Sequence, residues 1–187
     1  MKSVLISVKP KYCELIASGQ KTVEVRKNRP KIAVPFKVYI YQSKDNWIYK
    51  ILEKLKLYQQ KVIGEFVCNG ITSLKANNLI QAYYNNNQQS CLSDSEIMQY
   101  ANGKKLFYWH ISNLKIYDKP KELSEFYKLC SEYQKDEPIC EGCDYEHTEY
   151  SGLDCPPYFE CKCEGLKPIQ CPPQSWCYVE ELGADRL

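Results

Sequence analysis

Short runs of alternating apolar and polar residues dominate this chain, and they predict strands more often than helices. Residues 4–8 read as a first strand. Pro10 then suits the first turn of a helix, with Tyr12, Leu15 and Ile16 as its apolar face and Gly19 as its C-terminal stop. Over 21–27, Thr22, Glu24 and Arg26 face one way and Val23 and Val25 the other, the pattern of a half-buried strand. Residues 36–41 repeat that pattern after Pro35. Helical spacing follows over 47–60, and 62–68 read as a strand in which Gly64 marks a bulge or bend.

The middle of the chain is less regular. Residues 76–90, rich in Asn and Gln, predict a helix and a polar loop without chemistry of their own. Ser93 and Glu96 have the spacing of a capping box that opens a short helix towards Tyr100. Residues 106–111 and 114–117 read as two strands separated by Ser112 and Asn113, and 123–129 as a short helix or turn. Periodicity is lost over 130–172, and 175–179 predict a closing strand. Five or six short strands around one or two helices predict an α+β fold, a small mixed β-barrel with flanking helices. A loop of about 40 residues is uncommon in such a domain unless something holds it.

Composition narrows the class. With 44% hydrophobic and 26% charged residues among 187, the chain can build one core and is not disordered throughout. No apolar run approaches the roughly 18 residues of a membrane helix. The first ten residues hold only a broken apolar run and no cleavage site, so a cytoplasmic chain without signal peptide is expected. Net charge is +2 but segregated: residues 1–60 hold 13 Lys and Arg against 4 Asp and Glu, residues 130–187 hold 4 against 13. The basic N-terminal part points to a polyanion, and the acidic tail, which does not, fits a protein partner. Solvated faces of opposite sign are the plain alternative.

The segment Ile6-Ser-Val-Lys-Pro10, followed by residues 16–26, resembles the opening of ASCH domains of the PUA-like β-barrel superfamily. Their hallmark Gly-x-Lys-x-x-Glu-x-Arg is present as Gly19, Lys21, Glu24 and Arg26. Residues 61–66, 109–112 and 172–179 are similar to later barrel strands of phage- and Firmicute-type members. The resemblance implies a barrel formed by 1–129 and 166–187, interrupted by a Cys-rich insertion at 130–165. It also implies binding of RNA or a modified nucleotide, with a ribonuclease or nucleoside amidohydrolase as the enzyme alternative. One ASCH subgroup, acting on acetylated cytidine, carries a lysine-activated threonine where this chain has Glu24. A carboxylate is a poor substitute for that hydroxyl nucleophile.

The residues themselves support a cleft at this motif. A glycine-ended helix delivers Lys21 onto a turn, and the strand that follows presents Glu24 and Arg26 on one face. Lys9, Lys11, Lys27 and Arg29 add a basic rim around one carboxylate, a pattern suited to a phosphate or a base edge. A structural Glu24–Arg26 ion pair is the alternative. In an enzyme, Lys21 and Glu24 would form the acid/base pair. Trp176, with Tyr39, Tyr41 and Trp47, offers aromatic surface for stacking bases. His110, within a strand, and His147, in the acidic tail, do not suggest a two-histidine nuclease.

Cysteine is the last anomaly. Of 11 cysteines, eight lie at or after Cys130. In a reducing compartment such clustering points to metal before disulfide. Cys140 and Cys143 have C-x-x-C spacing, and a structural Zn²⁺ held by Cys130, Cys140, Cys143 and Cys163 would tie the exit of the insertion to its return. Cys155, Cys161 and His147 are alternative ligands. Cys13, Cys68 and Cys177 lie in regular segments and read as small core residues, while Cys171 has no assigned role.

Overall fold

The structure is a computed structural model that describes residues 2–44, 60–74, 88–129 and 166–180. The described elements, in chain order, are β1 (Ser3–Val8), α1 (Pro10–Ala17), β2 (Val23–Arg26), β3 (Phe36–Gln42) and β4 (Val62–Leu74). They continue with α2 (Asp94–Ala101), β5 (Leu106–Lys121), a 3₁₀ turn (Leu123–Glu125), β6 (Tyr127–Leu129), β7 (Leu166–Pro168) and β8 (Trp176–Val179). A six-stranded sheet runs in the order β2-β5-β4-β3-β1-β8, and β6 and β7 form a two-stranded sheet. Only β1 and β3 pair in parallel within the large sheet. The architecture is the mixed α+β, curled sheet expected of a PUA-like domain.

Both faces of this sheet are covered. On the concave side Val4, Ile6 and Val8 of β1 pack with Val38 and Ile40 of β3, Phe66 of β4 and Trp109 of β5, and α1 adds Cys13 and Ile16. The other face buries Leu5, Tyr39, Tyr41 and Val179 under Leu123, Phe126 and Ile169. The Tyr39 and Phe126 rings meet edge to face at 4.8 Å. A third cluster seats Ile97 and Ala101 of α2 on Val23, Val25, Leu106 and Tyr108. The half-buried patterns expected for β2 and β3 are therefore corrected: every residue of β2 is buried, because α2 covers one face and the barrel interior receives the other.

Two further differences and one agreement have local causes. The two strands expected over 106–117 are one 16-residue strand, in which Asn113 takes φ +47° and breaks the apolar alternation without ending the pairing. Gly64 lies at a register shift between β4 and β5, where a Cβ would stand 2.5 Å from the Lys115 carbonyl oxygen. There the expected bulge is present, and close backbone approach explains the glycine. Strand β7 was not expected, because a three-residue strand ending in Pro168 carries no readable period. The helical spacing of 47–60 and the polar segment 76–90 lie outside the described residues except at Gln60 and at 88–90, and so do Cys130, Cys140, Cys143 and Cys163.

Candidate functional site

The motif is built by the passage from α1 to β2. Helix α1 stops at Ser18, and Gly19 turns the chain with φ +74°, which an L side chain rarely adopts. The Lys21 amide then bonds back to the Leu15 carbonyl at 2.8 Å, and the Thr22 amide bonds to the Gln89 carbonyl at 2.9 Å. Strand β2 pairs with β5 so that Glu24 stands opposite Trp109 and Arg26 opposite Phe107. Opposed residues share a face, and Trp109 belongs to the interior, so Glu24 and Arg26 point inward.

Lys21, Glu24 and Arg26 are 2%, 7% and 5% exposed, so three charges share one buried locus. Glu24 Oε1 pairs with Arg26 Nη2 at 2.9 Å and its Oε2 with Lys21 Nζ at 3.4 Å. Two cations against one carboxylate leave an excess positive charge, which main-chain oxygens offset. Lys21 Nζ donates to the Ser90 carbonyl at 2.6 Å, and the Arg26 guanidinium donates to those of Ser7 at 2.9 Å and Ser175 at 3.0 Å. Lys21 Nζ also lies 5.3 Å from the centre of the Tyr12 ring. Arg26 Nε is shielded and has no hydrogen-bond partner among the described residues. Both readings of the motif thus meet here, since the ion pair is structural and also forms the wall of a cavity.

That cavity has a volume of about 800 Å³, and the three charged residues line it together with Lys9, Tyr12, Lys27, Leu92, Glu96 and Tyr100. Its lining carries four cationic side chains against two carboxylates. The Tyr12 hydroxyl donates to Glu96 Oε1 at 3.3 Å and so joins α1 to α2 across the rim. Burial first, and the Glu96 carboxylate second, push the Tyr12 phenol up to about 12. Burial likewise raises Tyr100, over whose ring Lys27 Nζ sits 4.8 Å from the centre. Glu96 itself is held below its ordinary value, first by the Ser93 amide and then by the Ser93 hydroxyl. The result is a concave site with aromatic and aliphatic walls and a few converging charges, the usual form of a small-ligand pocket.

The other sequence candidates are distributed unevenly. Lys9 and Lys27 line the cavity. Lys11 is spent on Glu96 at 3.7 Å, and Arg29 is exposed, and neither lines it. Trp176 packs at 6.2 Å from Trp109 and 5.3 Å from Tyr178, away from the cavity lining. Tyr39 and Tyr41 are each 3% exposed and belong to the covered outer face, and Trp47 lies outside the described residues. His110 meets Thr72 at 3.2 Å, and burial lowers its pKa, which favours the neutral ring. Sequence reasoning missed Ser90 as the lysine's acceptor and Tyr12, Glu96 and Tyr100 as walls. The capping box at Ser93 was the one signal that α2 starts beside the motif. Among the described residues no cluster of three His, Cys, Asp or Glu could hold a metal ion.

Comparison with known proteins decides the family. The ASCH domain matches residues 6–152. The chain belongs to the ASCH domain family. Among solved structures it is similar to ASCH from Zymomonas mobilis, with TM-score 0.50 and 22% identity over 65% of this chain and 73% of that one. A single-site variant of the same Zymomonas mobilis protein matches with TM-score 0.50 and 23% identity, over 66% of this chain and 77% of that one. These likenesses establish the shared ASCH fold. No curated protein matches the chain. No helix among the described residues is long and apolar enough to cross a membrane.

Proposed function

We propose that this ASCH domain binds RNA, or a modified nucleotide, in the cavity walled by Lys21, Glu24 and Arg26. The observation that carries the reading is a buried carboxylate fixed between two cations in the wall of a cavity of about 800 Å³, with Lys9 and Lys27 also in its lining. Glu24 can accept from the amino edge of a base, Tyr12 and Tyr100 can cover its face, and the two lysines can meet phosphate. The PUA-like fold, often linked to RNA binding, supports the same reading. Salt-dependent binding of short single-stranded RNA tests it. Affinity should fall steeply as salt rises, and Lys9→Ala with Lys27→Ala should weaken it several-fold and reduce the salt slope by about two. No binding at low salt, or an unchanged double variant, would overturn the assignment.

The rim lysines are the right positions to vary, because Lys21 and Arg26 also hold the fold. A ribonuclease or nucleoside amidohydrolase acting through Lys21 and Glu24 is the second reading, favoured by the contact of the two groups at 3.4 Å within the cavity. Turnover that disappears in Glu24→Gln would put it first. A structural Zn²⁺ on Cys130, Cys140, Cys143 and Cys163 and a protein partner for the acidic tail rest on sequence spacing and charge. The phage and Firmicute type rests on the sequence segments alone.

A further inference from the structure

A second cavity of about 400 Å³ adjoins the first, and Ser43 and Pro172 line both. This partition is built rather than incidental. The Ser43 amide bonds to the Val8 carbonyl at 2.8 Å and its hydroxyl to the same oxygen at 3.2 Å. On the other side the Ser7 hydroxyl donates to the Pro173 carbonyl at 2.6 Å, and the Ser7 amide bonds to the Ser175 carbonyl at 3.0 Å. The two walls are therefore pinned to adjacent residues of β1.

Each side of the partition has a lysine. Strands β1 and β3 pair in parallel with Val8 opposite Gln42, so the chain continues from their ends into Lys9 and into Ser43 and Lys44. Paired strands lie about 4.8 Å apart, which brings both lysines to the same end of two neighbouring strands. Lys9 lines the first cavity and Lys44 the second. Beyond Lys44 the second cavity is walled by the largely buried side chains of Tyr41, Leu123 and Ile169, with the amides of Gln60 and Gln170 and the Glu122 carboxylate, which pairs with Lys61, beside them. An apolar bed with amide edges suits a base, and a cation at the divide suits the phosphate leading to it.

Resting on the binding reading above, we infer that the second cavity is a subsite for the neighbouring nucleotide of an RNA strand. The strand crosses the Ser43–Pro172 partition with its linking phosphate between Lys9 and Lys44. The ligand is then an oligonucleotide of at least two residues rather than a free nucleotide.

Titration of the full chain with a labelled mixed-sequence RNA pentamer, and separately with the four ribonucleoside 5′-monophosphates, tests this. The pentamer should bind at least tenfold more tightly than any monophosphate. Gln170→Ala, at an exposed position, should lower pentamer affinity several-fold and leave monophosphate binding unchanged, and Lys44→Ala should weaken the pentamer more than the monophosphates. Monophosphates that bind as tightly as the pentamer, or variants that weaken both probes equally, would overturn the subsite and leave the first cavity's role standing. Failure of both probes to bind at low salt would overturn the two readings together.

Discussion

Arg26 on β2 donates to the main-chain carbonyl of Ser7 on β1 at 2.9 Å, although four strand positions separate β2 from β1 in the order of the sheet. A second arm of the same guanidinium reaches Ser175, just before β8 at the opposite edge. One side chain thus closes the curl of the sheet and also forms part of the candidate cavity. Removing it leaves the Glu24 carboxylate with only Lys21 and takes a donor from the half-buried carbonyls of Ser7 and Ser175. Arg26→Ala should cost about 3–5 kcal/mol in urea unfolding, the range for breaking a buried ion pair by deleting one partner. Arg26→Lys should recover only part, since an ammonium cannot present the same fork. A loss below about 1 kcal/mol would refute the closing role.

The rim pair Tyr12–Glu96 gives opposite dependences at the two ends of the pH scale. Glu96 is held below its ordinary value, so its stabilising contribution is complete above about 4.3 and is lost as pH falls through its lowered native value. Glu96→Gln should flatten that part of the acid limb. Tyr12 is pushed up to about 12, so its contribution is complete below about 10 and is lost as pH rises towards 12. Tyr12→Phe should remove that alkaline loss. Thermal unfolding across pH measures both, and unchanged profiles would refute the linkage.

Gly64→Ala tests the contact between β4 and β5. Its Cβ would meet the Lys115 carbonyl oxygen at 2.5 Å and two atoms of Ile116 at 3.1 Å, two of the three being backbone atoms that cannot swing aside. Destabilisation of about 1–3 kcal/mol is expected, the range for overpacking. Gly103→Ala meets nothing within 4 Å but sits at φ +73°, so its cost should come from backbone strain alone. Equal tolerance at both positions in a denaturant series would contradict the close approach at Gly64.

Cysteine chemistry separates two populations. Burial pushes the thiols of Cys68 and Cys177 up to about 11 and raises Cys13 as well, while Cys171 is exposed. Native iodoacetamide labelling at pH 7.5 should therefore mark Cys171 well before these three, as read by mass spectrometry. If zinc holds the insertion, purified protein should carry about one ion per chain. Chelation should then expose Cys130, Cys140, Cys143 and Cys163 to the reagent. Metal-free protein in which these four label at once would exclude zinc.

Legibility in the sequence followed the range of the interactions. The first strand, the proline-started helix, the glycine turn and the capping box depend on neighbours within a few residues, and each is present where expected. What failed to show depends on distant chain. Strand β2 alternates like a half-buried strand, and nothing near it in sequence shows that its polar face, Glu24 and Arg26, is buried as well. The ionic trio was readable as a motif, but Ser90 and Ser175, which accept from it, carry no signal. Lys11 and Arg29 looked equivalent to Lys9 and Lys27 because sequence proximity does not reveal which way a residue faces at the start of α1 or after the end of β2.

The pairing of β1 with β8, Ser3 opposite Val179, has a consequence for the growing polypeptide. During synthesis β1 emerges well before β8, and the edge that β8 covers stays open until residues 176–179 have left the ribosome. Ser175, the far acceptor for Arg26, arrives with them. Until then the edge of β1 lacks its partner and the Arg26 guanidinium lacks one acceptor, so the wall of the candidate cavity is completed only when β8 is in place. Quality control that senses exposed strand edges would read completion of this seam as the mark of a mature molecule.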